Sequence, residues 1–128
     1  MAHDARIIPI DKDHRPDAWK PWLGDSIAHW DGDVLVVETR NLHPQQAPRN
    51  VAALSDEGVV VERFSRFSDE QVLYEFEVRD PNFYTEAWSG EMAFNATDTQ
   101  PYEYACHEGN YGLPGILAGA RRLEMDEP

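Results

Sequence analysis

A single cysteine, Cys106, stands among the 128 residues. No intramolecular disulfide is available, and stability must come from a packed core. Basic residues are scarce as well: 11 lysines and arginines face 24 aspartates and glutamates, for a formal net charge of −13. Such a surface repels phosphate backbones and anionic lipid, so neither a nucleic-acid nor a membrane partner is expected. Long apolar runs are missing, none approaching the ~18 residues that span a bilayer. The opening Met1-Ala-His-Asp-Ala-Arg6 lacks the basic start and apolar core of an export signal. These absences lead to the expectation of one domain, residues 1–128, in the cytoplasm.

Signatures of assisted chemistry are equally sparse. No H-x-H, H-E-x-x-H or C-x-x-C spacing occurs, so no metal is expected. Gly109 to Gly115 contains no P-loop lysine and follows no nucleotide fingerprint, so no cofactor is expected either. Cys106 beside His107 reads as a structural thiol, because adjacency in sequence is not contact and no nucleophile signature surrounds it.

What the chain does have is alternation. Residues 1–24 read as an extended arm and loop: Pro9 has no backbone donor, Pro16, Pro21 and Gly24 punctuate, one helical turn fits Asp17 to Lys20, and Trp19 and Trp22 cap a core edge. Asp25–Trp30 and Val34–Asn41 flank Asp31-Gly-Asp33 as a hairpin. Period two places Ile27 and His29 on one face of the first strand and Ser26, Ala28 and Trp30 on the other. Leu42 to Glu57 is a long loop of the kind that covers binding sites. Gly58–Phe67 and Gln71–Arg79 make a second hairpin, with Val72, Tyr74, Phe76 and Val78 inward and Glu75, Glu77 and Arg79 outward. Phe83 to Asn95 resumes the pattern with Trp88, Met92 and Phe94 on one face, and Tyr102 to His107 is the last strand.

Leu113, Ile116, Leu117 and Ala120 then recur at helical spacing, with Pro114 in the first turn, which predicts a short helix over 113–123 that plugs or braces the sheet. The fold class that follows is all-β and mainly antiparallel: a curled meander or lipocalin-like β-barrel with one short C-terminal helix. A loop or a second subunit is the alternative means of closing it.

A barrel lined with rings suits a small apolar or aromatic molecule. Trp30, Tyr74, Phe76, Trp88, Met92, Tyr102 and Tyr111 are the candidate binding residues. The densest collection of reactive groups is Tyr102-Glu-Tyr-Ala-Cys-His-Glu-Gly-Asn-Tyr-Gly112. His107 or His29 can act there as base, Tyr104 or another tyrosine as electrophilic donor, and Glu108 as orienting carboxylate or acid. His107 and Glu108 are consecutive, so they converge only through a bulge or the Gly109 turn.

Trp22-Leu-Gly-Asp-Ser26, His29-Trp-Asp-Gly-Asp-Val-Leu-Val-Val-Glu-Thr39, Val61-Glu-Arg-Phe64 and Tyr102 to Gly112 give the chain its resemblance to a family of uncharacterised bacterial proteins. The resemblance covers most of residues 6 to 122 and implies a β-rich fold without an established reaction. Many members look longer and exported. This chain lacks their preceding segment, which raises the expectation of a homodimer. The leading functional expectation is an enzyme of lyase, isomerase or cyclase type, doing cofactor-free acid–base chemistry on a mostly apolar substrate. The alternatives are a non-catalytic lipocalin-like ligand-binding protein and a partner-binding accessory subunit.

Overall fold

The computed structural model describes residues 5–49, 52–100, 109 and 111–126. The chain divides into two units, residues 5–98 and a second that holds the C-terminal helix. In the first, β1 (Asp25–Asp31), β2 (Val34–Arg40), β3 (Val59–Arg66), β4 (Gln71–Arg79) and β5 (Trp88–Asn95) form one antiparallel sheet in chain order. Gly32, at φ 58°, supplies the left-handed conformation that the tight β1–β2 turn needs. Both hairpins lie where the turn residues and the alternation place them.

Register builds the two faces. Across one run Trp30, Leu35, Phe64, Tyr74 and Met92 in successive partnership; beside them run Ala28, Val37, Glu62, Phe76 and Gly90. The other face carries His29, Val36, Arg63, Glu75 and Glu91 in one such row. At the Val78 end, Leu42, Leu54 and Val78 form a buried cluster with Val60, Phe76, Tyr84 and Trp88 packed against it. The loop between β2 and β3 thus closes over one end of the ring-bearing face, and it contains a short 3-10 helix, Pro44–Arg49.

Among the described residues the sheet stays open, with five strands and two edges, β1 and β5. The expected barrel is therefore corrected: five strands fall short of the ~8 that close around one small ligand. Two expected strands and a stretch of a third account for the difference. The arm contributes only an isolated parallel bridge, Ile10 to Ala28. Residues 83–87 form a turn instead of extending β5, because Asp80 captures the local amides: Asn82 N–H donates to its Oδ1 at 2.9 Å and Tyr84 N–H to its carbonyl at 2.9 Å. Tyr102 to His107 lies outside the described residues.

In the second unit, α1 (Gly112–Asp126) runs longer than the expected 113–123. Arg121 and Arg122 consequently fall before its last turn, which holds no basic residue. Leu113, Ile116, Leu117 and Leu123 are all exposed. No described helix is long and apolar enough to cross a membrane.

Candidate functional site

Two surfaces of the sheet unit carry chemistry. The first is the ring-bearing face. Tyr74 sits at its centre, 5.0 Å from Phe64, 5.7 Å from Phe76 and 5.4 Å from Phe94 between ring centroids. Phe76 meets Trp88 edge to face at 5.5 Å, and Trp88 meets Tyr84 at 5.8 Å. Offset and edge contacts of this kind add to simple burial. Gly90 is part of the arrangement, because a Cβ there would lie 2.6 Å from Phe76 Cζ. Only glycine lets that ring lie flat across β5. Away from the covered end the face is open: Trp30 is 56% exposed, Met92 49% and Phe94 47%.

Within the rings lies one buried carboxylate, Glu62. Arg6, arriving from the arm, donates Nη1 to its Oε2 at 2.7 Å and Nη2 to its Oε1 at 3.0 Å. The Tyr74 hydroxyl donates to Oε1 at 3.0 Å. Arg6 Nη1 also reaches Thr39 Oγ1 at 3.2 Å, and Thr39 shares a 2.8 Å hydroxyl contact with Ser26. This bidentate geometry is the strong form of an ion pair. The hydrogen bond to Glu62 raises the Arg6 pKa further, against desolvation. Burial, then the Glu62 charge and hydrogen bond, push the Tyr74 phenol up to about 12. Tyr74 is thus a fixed donor, a poor acid near neutrality, and Glu62 is committed to its partners.

The second surface lies where the arm and the loop before β1 meet. His14 is buried between two carboxylates, Nδ1 2.8 Å from Asp25 Oδ2 and Nε2 3.1 Å from Glu38 Oε1. The Arg15 amide donates to Asp25 Oδ2 at 2.9 Å. Desolvation pushes the Asp25 carboxyl upward, but the Arg15 amide and the His14 hydrogen bond and charge outweigh it and hold the group below its ordinary value. Beside Asp25 opens a cleft of about 350 Å³, walled by Trp19, Trp22, Pro9 and Pro21 and including Arg6, Arg15 and Ser26. The Arg15 guanidinium lies over the Trp19 ring, 4.1 Å from its centroid, and Trp22 packs on His43 at 5.0 Å.

Of the residues expected to bind, Trp30, Tyr74, Phe76, Trp88 and Met92 share the ring-bearing face. Tyr111 is exposed just before α1 in the second unit, and Tyr102 lies outside the described residues. Of the expected acid–base group, His107, Glu108 and Tyr104 also lie outside them. His29 is exposed on the face opposite Tyr74, its strand partner being Val36. Among the described residues, no group of three or more His, Cys, Asp or Glu side chains is placed to hold a metal ion. Sequence reasoning missed Arg6, His14, Asp25 and Glu62. Glu62 alone left a trace: it interrupts an inward row, Val60, Glu62, Phe64, and a carboxylate among apolar neighbours needs a partner. Nothing local names Arg6, 56 residues away. Comparison of the chain with protein-family models, with curated proteins and with solved structures gives no match.

Proposed function

We propose that this chain is a non-catalytic binding module that takes up a mostly apolar, aromatic small molecule on the ring-bearing face of its sheet. The observation that carries the reading is the continuity of Trp30, Phe64, Tyr74, Met92 and Phe94 across that face, with Trp30, Met92 and Phe94 about half exposed. Large exposed apolar patches mark binding surfaces, and rings supply contact area at little entropic cost. The polar groups on this face favour binding over turnover, because Glu62, Arg6 and Tyr74 are engaged with one another.

The test is a titration with the neutral fluorophore N-phenyl-1-naphthylamine, followed by recovery and chromatography of the bound compound. Saturable binding is expected, with the compound returned unchanged and with affinity reduced about tenfold or more in a Trp30→Ser, Phe94→Ser double variant. Binding indifferent to both substitutions would sink the proposal. Chemical conversion of a bound molecule, lost in His107→Ala, would move the assignment to the acid–base enzyme.

A further inference from the structure

We infer that the cleft between the arm and the loop before β1 is a second, separate site, and that it takes a small planar carboxylate. In a chain with 24 acidic and 11 basic residues, this cleft is lined by two arginines, Arg6 and Arg15, and by one carboxylate, Asp25. The Asp25 charge is already met by the His14 ring at 2.8 Å and the Arg15 amide at 2.9 Å. With Asp25 held by these partners, the Arg15 guanidinium is left exposed at the cleft, and a carboxylate is the partner that bidentate guanidinium geometry selects.

Arg15 has donors to offer. Its Nε is 4.0 Å from the nearest Asp25 oxygen, beyond hydrogen-bond range, and the side chain is 57% exposed. Its contact with the Trp19 ring, 4.1 Å from Cζ to the centroid, consumes none of its N–H groups. Arg6 is anchored by Glu62 and Thr39, its charge met by the Glu62 carboxylate, and serves as part of the cleft wall. A ligand cation is disfavoured because Arg15 already occupies a face of Trp19.

Shape supplies the rest of the ligand class. Two tryptophans and two prolines give flat apolar walls, and the cleft's 350 Å³ corresponds to about a dozen water-sized volumes. One or two fused rings bearing a carboxylate fill that space, within the range of ordinary small-molecule sites.

Isothermal titration calorimetry on the whole chain, with naphthalene-2-carboxylate and the isosteric naphthalene-2-carboxamide as probes, tests the assignment. The carboxylate is expected to bind saturably and about tenfold or more tighter than the amide, with affinity falling as salt rises. Arg15→Gln, at an exposed position, is expected to abolish that preference while leaving the amide within about twofold. Trp19→Ala should weaken both probes, whereas Trp30→Ser on the ring-bearing face should weaken neither. Equal affinity for the two probes, absence of binding, or a carboxylate preference that survives Arg15→Gln would overturn the inference. Because the ring-bearing face is probed by a neutral compound and by different variants, either site can fail while the other stands.

Discussion

On one face of the sheet a single carboxylate, Glu62, lies buried among rings and held by donors from the arm and from β4; on the other, Glu75, Glu77 and Glu91 stand beside Arg63 at a groove open to water. The same residue type is thus used in two ways on the two faces of one sheet. At that groove the charges border water, with Glu77 paired to Arg79, and such surface pairs matter little. Inside, desolvation makes Glu62 dependent on Arg6 and Tyr74, so a residue 56 positions away in sequence becomes part of the sheet's stability. The arm is therefore a structural component of the ring-bearing face, although among the described residues its backbone joins the sheet at a single bridge.

Removing the buried partner should break this contrast most visibly. Glu62→Ala leaves a partly buried guanidinium and a phenol without their acceptor. Urea unfolding should show a loss of about 2–3 kcal/mol, reduced from the fully buried case because Arg6 is a third exposed. In the same variant the Tyr74 phenol, held up to about 12 by burial and secondarily by Glu62, should titrate at lower pH. Gly90→Ala follows, at about 1–2 kcal/mol, since the new methyl group displaces the Phe76 ring; a Gly90→Ala chain as stable as the parent would mean that the ring has another place to lie.

Acid should act on the arm next. The Asp25 pKa is lowered in the folded chain from an ordinary 3.8. Its contribution is therefore present above that value and lost as pH falls through the folded one. Asp25→Asn should flatten the acid limb of the stability–pH curve, measured by thermal unfolding. The smallest effect belongs to the outer face, where Glu75→Gln should change stability by no more than about 0.5 kcal/mol. A loss there comparable to that of Glu62→Ala would erase the distinction between the faces.

How far the sequence reached follows the same division. Strand identity, hairpin turns and the membership of each face were legible, because period-two alternation is written residue by residue in segments such as Val72 to Arg79. Trp30, Tyr74, Phe76, Trp88 and Met92 could be grouped for that reason. Closure was not legible, since it depends on strand count, and Asp80 replaces an expected stretch of strand with a turn through its own hydrogen bonds. The ion-pair networks were hidden altogether. Arg6 with Glu62, and His14 with Asp25 and Glu38, join arm to strands over separations that no local pattern encodes.

Asp80 also bears on what the loop between β2 and β3 can become. Its buried side chain accepts hydrogen bonds from the Ser55 amide and hydroxyl, and at Gly58 even a Cβ would come within 2.9 Å of Oδ2. The loop's far end is thereby fastened at Ser55, while Leu42 at its near end and Leu54 beside Ser55 belong to the same buried cluster. With both ends secured independently of the residues between them, added length costs little, since each doubling of a flexible loop adds only about 0.6 kcal/mol of closure entropy. Between the 3-10 helix, whose Gln46 is fastened to the Trp22 carbonyl, and Leu54 is the natural place for sequence to be inserted, by drift or by design, without disturbing the sheet behind it.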